Sequence, residues 1–415
     1  MTDRWPVRLL VLFAFGLSAG LMPEGASAQS LEFDEYTVEA ETATWMGFAL
    51  DDLNQDGLQD VVVQNGGNGG PLLWYEAGEG GTTWTRHLIA EEAPNGPRFT
   101  TGDLEVGDID GDGDVDVLGF EHPGEWRTID GANGSFHPTT VYWYENDGSD
   151  GGWTPHRIGT MPDFVKDVEI EDYDGDGRPD LAMITYKNEH AFSIFRQEED
   201  GSFTRVQLAS IPGMHEGMDS GDFDGDGDID IAANGYWLEN PDGALTDVWI
   251  ARSIDARWHT QTGGWRHNAT KVKAADLTGD GTDEVIISHS ESSGYPITWY
   301  EPTDPTSPEG WTPHVIGQGL NAVHTLEVGD FNGDGALDVL AGENGDSHTA
   351  QISDDGEKQV RIFLNDGDAE DWTPVVFSNE GLYNGRVADI DGDGTPDVAG
   401  PNGHEGDPYT VYLTQ

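Results

Sequence analysis

Seven times the chain presents the run Asp-x-Asp/Asn/Thr-x-Asp-Gly-x-x-Asp/Glu, which places oxygen donors at positions one, three, five and nine. The first two sets are Asp52, Asn54, Asp56, Asp60 and Asp108, Asp110, Asp112, Asp116. The next three are Asp172, Asp174, Asp176, Asp180; Asp222, Asp224, Asp226, Asp230; and Asp276, Thr278, Asp280, Glu284. The last two are Asp330, Asn332, Asp334, Asp338 and Asp389, Asp391, Asp393, Asp397. Hard oxygens around an obligatory bend suit Ca2+, whereas Mg2+ wants a tighter octahedron and keeps its waters. The bend is supplied by a glycine at position six, Gly227 in the fourth loop, because glycine tolerates backbone angles that other residues resist. A calcium-binding helix–loop–helix hand would need its last carboxylate at position twelve and helices on both sides. Here the acid stands at nine and strand-like segments flank it, so that reading fails. Up to seven structural calcium ions are expected. The loops headed by Asp108, Asp172, Asp222 and Asp389, with four carboxylates each, should bind best. The fifth loop is weaker, with Thr278 and Glu284, and so is the first, with Asn54 and with Gln55 where the others carry glycine. An ion that binds only the folded state stabilises it by mass action.

The elements that hold these loops follow from their spacing. Successive loops are 50 to 64 residues apart, a period that makes each repeat one unit packing on its neighbours. Within a repeat, short β-branched and aromatic runs alternate with Gly/Asp/Asn turns, the signature of antiparallel strands. His324-Thr-Leu-Glu-Val-Gly leads into one loop and Asp338-Val-Leu-Ala-Gly leaves it, followed by Val360-Arg-Ile-Phe-Leu and Trp372-Thr-Pro-Val-Val-Phe. Four strands per unit, seven units and no helical periodicity predict an all-β, seven-bladed β-propeller. The last repeat ends at a third strand, Val411-Tyr-Leu, while Phe33-Asp-Glu-Tyr-Thr-Val-Glu reads as an isolated fourth strand. Pairing them would close the last blade and remove an open edge. The recurring Trp84, Trp153, Trp311 and Trp372, and the Trp-Tyr-Glu third strands, are expected to pack blade on blade.

A second chemistry is placed by this topology. The strand before each loop runs toward it and the strand after runs away, so their far ends share the opposite rim. Before the loops that rim would carry Lys166, His215, Glu216, His267, Asn268, His324 and Asn384. After them come Glu121, His122, Tyr186, Tyr236, His289, Glu291, Glu343, Asn344 and His404. Six of the chain's 13 histidines fall there. Long loops, 123–140 with Trp126 and 344–359, would wall a pocket over the ring axis. His324, His267, His215, Lys166 and Tyr236 are the candidates for catalysis. His122, Trp126, Tyr186, His289, Glu343, Asn384 and His404 are the candidates for ligand binding. A transition-metal site drawing on His215, His267, His289 and His324 has no compact motif behind it. Three residues before the loops, Asp219, Lys273, Glu327 and Arg386 alternate in sign, which suits ion pairs lining a central channel.

Composition narrows the function. Against 19 basic side chains stand 79 acidic ones, a formal charge of −60, and 25 of those acids are loop ligands. Such a field disfavours nucleic acid and anionic membrane. It fits either a highly soluble exported protein or a surface adapted to high salt, where screening relieves self-repulsion. The chain has no cysteine, so neither disulfide nor thiolate chemistry operates. Arg4 and Arg8, an apolar run from Leu9 to about Met22 and Ala26-Ser27-Ala28 read as an export signal over residues 1–28. The apolar run is too short for an ordinary membrane span. The remainder, 29–415, is expected to be a single propeller, secreted to the periplasm or beyond and monomeric.

Segments such as Asp228-Ile-Asp-Ile-Ala-Ala-Asn-Gly-Tyr-Trp-Leu-Glu-Asn-Pro, Tyr295-Pro-Ile-Thr-Trp-Tyr-Glu and Gly310-Trp-Thr-Pro-His-Val-Ile carry a further likeness. With the seven acidic loops, they make residues 31–415 resemble the FG-GAP/VCBS-repeat family of secreted propellers, whose calcium loops also occur in integrin α-chain propellers. The resemblance implies the fold and the calcium. For activity it implies a range, from adhesion and glycan-binding modules to propellers of sugar-processing enzymes. Fungal aldos-2-ulose dehydratases are similar in their repeats but carry added cupin domains, which are not expected within residues 29–415. Two functions are therefore expected as alternatives. One is binding of carbohydrate, or an extracellular protein surface, on the rim opposite the loops. The other is a polysaccharide lyase or sugar dehydratase on the same rim, whose His/Tyr/Lys groups abstract a proton α to a carbonyl.

Overall fold

The computed structural model describes residues 31–40, 45–65, 70–96, 99–122, 138–148, 152–185, 191–210, 216–243, 245, 249–262, 265–307, 309–344, 358–403 and 407–415. Among these, the strands form seven four-stranded antiparallel sheets, the blades of one propeller. Blade one runs Trp45–Asp51, Asp60–Asn65, Leu72–Ala77 and Trp84–Ala90, each strand paired with the next. Among the described residues helix is confined to short 3-10 turns such as Ala256–Trp258 and Trp265–Asn268.

The ring closes as its ends require. Blade seven takes Arg386–Ala388, Asp397–Pro401 and Tyr409–Thr414 from the C-terminal end of the chain and Phe33–Glu39 from the N-terminal end. Phe33 pairs with Thr414 and Thr37 with Thr410 in antiparallel register. Phe33 stacks on Phe377 of blade six at 4.4 Å, so the N-terminal strand is also packed between sheets.

Burial follows strand position. The second strands Asp180–Thr185, Glu284–His289 and Asp338–Glu343 are buried at every residue, as their continuous apolar runs imply. First strands of neighbouring blades touch, Trp45–Asp51 meeting Arg386–Ala388 across the closure, and so line the axis. Blades interlock through glycine. A side chain at Gly159 of blade two would meet the ring of Phe195, and one at Gly317 of blade five would meet Phe363, both within 2.3 Å. The same knob enters the same hole at two points of the ring.

The outer strands hold a repeated clamp. Trp74, Trp143 and Trp299 on third strands stack on His87, His156 and His314 of fourth strands, with ring centroids 4.1 to 4.5 Å apart. Each histidine also faces the glutamate two residues beyond its tryptophan, Glu76, Glu145 or Glu301, at 2.7, 2.6 and 3.5 Å. In blade four Arg252 takes the histidine's place, over Trp237 and on Glu239. The Trp-Tyr-Glu and Trp-Thr-Pro-His segments are thus two halves of one cross-strand contact.

Candidate functional site

Each acidic loop joins the first and second strands of a blade. In blade three, Glu171 pairs with Asp180 at the loop end and Val165 with Thr185 at the far end, so loops and far ends occupy opposite rims. Backbone amides within each loop hold its carboxylates in place. Asp52 Oδ1 accepts from the Asp56 amide at 3.0 Å and Oδ2 from the Gly57 amide at 2.8 Å. The glycines at position six lie between φ +86° and +95° in all seven loops. Carboxylate oxygens of Asp108, Asp110 and Asp116 lie within 4.8 Å of one another, as do those of Asp172, Asp174 and Asp180, and of Asp222, Asp224 and Asp226. This donor set fits a hard divalent cation.

Position nine has a second task that spacing alone does not reveal. Asp116 accepts the Ile109 amide at 3.0 Å with one oxygen and the Asn146 amide at 2.9 Å with the other. Asp60, Asp338 and Asp397 repeat the pattern, each tying the loop to the third strand. Burial pushes these carboxyls up to about 7, a penalty that a bound cation would oppose.

Along the axis, inner strands carry the charged ladder expected from sequence. Lys273 Nζ lies 3.5 Å from Asp219 and 3.3 Å from Glu327. Arg386 lies 3.6 Å from Glu327 and reaches past Ala49 of blade one to Asp103 at 2.5 Å and Glu105 at 3.4 Å. The surrounding cavity, about 240 Å³, is lined by six carboxylates, Asp103, Glu105, Asp167, Glu169, Asp219 and Glu327, against three cations, Lys271, Lys273 and Arg386. Burial therefore pushes Glu105 up to about 8, and burial with the nearby Asp219 and Glu105 raises Glu169 well above its usual range.

The far mouth of this channel is where the histidine-bearing rim converges. Lys166, only 4% exposed, places Nζ 2.7 Å from Glu216 Oε2. Burial alone would lower the Lys166 pKa, but the Glu216 charge and hydrogen bond, with Tyr383 and Asp167, together outweigh it and raise it. Burial likewise works against the Glu216 carboxylate, yet Lys166 and Lys271 hold its pKa below the ordinary value. Ser290 Oγ donates to the other Glu216 oxygen. His324, fully buried, stacks on Tyr383 at 3.9 Å, and its Nδ1 lies 3.0 Å from Asn384 Oδ1. Its Nε2 stands 4.0 Å from Glu291 Oε1. Burial raises the Tyr383 phenol far above its usual range.

The other rim residues are distributed differently from the sequence expectation. His289 is buried against Tyr295. Its Nε2 donates to the His267 carbonyl at 3.3 Å, its Nδ1 accepts from the Glu291 amide, and burial lowers it to about 4. His267 is exposed and supplies that carbonyl rather than its ring. Of that histidine group, His324 lies with Glu216 and Glu291, while His289 meets the His267 carbonyl. His122 is buried edge-on to Phe164. Tyr236 stacks on His259 in the outer half of blade four, a contact that involves none of the mouth residues. Glu343 latches a loop, accepting the Asn321 and Gln359 amides at 2.6 Å each. Trp126, Tyr186, His215 and His404, the export segment 1–28, and most of the 123–140 and 344–359 loops lie outside the described residues. Tyr383 was not singled out from sequence, although it immediately precedes Asn384.

Comparison with known proteins agrees with this architecture. The sequence matches the FG-GAP-like repeat over residues 52–119, 129–183, 172–233 and 276–341. No curated protein matches it. An Agrocybe aegerita lectin specific for non-reducing terminal N-acetylglucosamine superposes with a TM-score of 0.56 at 18% identity, over 90% of this chain and 86% of the lectin. A structure of BBS1N in complex with ARL6DN superposes at 0.53 and 10% identity, over 92% of this chain and 95% of that one. At these identities the likeness is one of fold.

Proposed function

Because the chain belongs to the FG-GAP-like repeat family, we propose that it is an exported propeller, stiffened by calcium in its acidic loops, that receives carbohydrate at the axial mouth on the opposite rim. One observation carries this reading: Lys166, Glu216, Glu291 and His324, from four successive blades, are buried together at one end of the ring. Buried charges seldom stabilise a fold, since desolvation offsets their attraction and apolar packing would serve better. Charged donors and acceptors held rigidly around a concave polar opening suit a polyhydroxylated ligand, whose hydroxyls both donate and accept. A lectin built on a comparable ring is consistent with such a use of the fold.

A lyase or dehydratase is the second reading, favoured by the stacking of Tyr383 on His324 and the proximity of Lys166. The His324 imidazole would take the proton α to a carbonyl, and the Lys166 ammonium would steady the enolate. The test is a panel of neutral and acidic glycans, scored both for binding and for ultraviolet-absorbing unsaturated product. Binding lost in Lys166→Ala and His324→Ala, without product, is expected. Product abolished by His324→Ala selects the second reading, and a panel with neither binding nor product overturns both.

A further inference from the structure

We propose that the axial mouth holds one divalent cation of the zinc type, ligated by Glu216, Glu291 and His324. The three come from separate blades. Glu216 precedes the first strand of blade four, Met218–Gly221; Glu291 follows the second strand of blade five, Glu284–His289; His324 stands in the first strand of blade six, Val323–Gly329. One donor atom from each lies within 4.8 Å of the other two, and all three side chains are buried. The 4.0 Å between His324 Nε2 and Glu291 Oε1 is too wide for a hydrogen bond. Two bonds of about 2.1 Å at a tetrahedral angle would set the donors about 3.4 Å apart, so an inward shift of about 0.6 Å would bring both onto a shared ion.

The hydrogen-bond network around His324 independently favours a metal ligand. Asn384 Nδ2 donates to the Met46 carbonyl at 2.6 Å and the Gly102 carbonyl at 3.1 Å, which fixes the amide orientation. Its Oδ1 must then accept from His324 Nδ1, so the proton sits on Nδ1 and Nε2 is turned toward the carboxylates. Metal-binding histidines are oriented by this kind of outer contact. Asn384 holds its place at φ +47°, a backbone region asparagine tolerates better than most residues. Two carboxylates with one imidazole suit zinc or manganese rather than calcium, which prefers six to eight oxygens. Three protein ligands would leave a coordination position for a further ligand.

This inference stands whether or not the mouth takes sugar, because its test reads metal directly. Full-length protein is stripped with chelator, returned to saturating Ca2+ so that the loops are filled, then titrated with Zn2+ by calorimetry and with Co2+ by visible absorption. The expected result is one equivalent of Zn2+ per chain beyond calcium, and ligand-field bands with Co2+. His324→Ala and Glu291→Gln should each remove that equivalent. Asn384→Ala keeps all three ligands and should weaken binding about 10- to 100-fold. No Zn2+ or Co2+ taken up under saturating Ca2+ overturns the proposal. So does undiminished binding by Glu291→Gln, which decides the matter if His324→Ala does not fold.

Discussion

Gln55 shows how one side chain offsets a backbone cost. It occupies the position held by Gly111, Gly175, Gly225, Gly279, Gly333 and Gly392 in the other loops, at φ +59°. Its Nε2 donates to the Gly113 carbonyl at 2.9 Å and to Asp114 at 2.6 Å, bridging the first loop to the second. Gln55→Ala keeps the strained angle and loses the bridge, so it should destabilise by about 1 kcal/mol. Gln55→Gly loses the bridge but relaxes the backbone, and should fall within about 0.5 kcal/mol of wild type by denaturant melts. Glu105 offers a pH test. Burial lifts it from 4.5 to about 8, so between those values the folded state keeps a proton the unfolded chain has released. Its contribution is full below 4.5 and is lost as pH rises to about 8. Glu105→Gln should therefore raise the melting temperature relative to wild type at pH 8 and change it little at pH 4.5. An equal shift at both values would contradict the assignment. Arg386 keeps Asp103 and Glu327 in either case.

At the scale of the loop and its strands, the two roles of the acidic residues can be separated. Asp110 bonds only within its loop, to the Asp112 amide at 3.2 Å, whereas Asp116 ties the loop to the third strand. Asp110→Asn should lower the melting temperature in calcium and leave the EDTA melt nearly unchanged. Asp116→Asn turns an NH2 toward a backbone donor and should cost about 1–3 kcal/mol in both conditions. Equal losses from the two variants in EDTA would deny position nine its structural part. The ligand spacing was legible because a nine-residue loop is local. The tie to the third strand was not, since Asn146 lies thirty residues from Asp116 and only sheet registration brings them together. The same limit hid the mouth. Sequence placed Lys166, Glu216, Glu291 and His324 on one rim, but a rim is a circle, and no periodicity says which members face the axis. Tyr236, at a third-strand start, turned outward, while the first-strand residue His324 turned in.

Taken as a ring, the molecule followed its repeat closely. Seven loops at near-even spacing implied seven blades, and Phe33–Glu39 pairs as the terminal pattern required. Deleting residues 31–39 should sharply lower the melting temperature, because Tyr409–Thr414 would become an unpaired edge and Phe377 would lose its stacking partner. An unaltered melt would count against closure by this strand. The charge ladder was legible as well, because residues three before each loop must share a level around the axis.

Joining Phe33–Glu39 to Tyr409–Thr414 carries a kinetic consequence. The contact brings together segments from nearly opposite ends of the polypeptide, the kind of long-range pairing that slows acquisition of the native state. Until it forms, the six self-contained sheets can stack only as an arc with one raw edge, vulnerable to a neighbouring chain. Completion of the circle is thus the step at which productive assembly competes with aggregation.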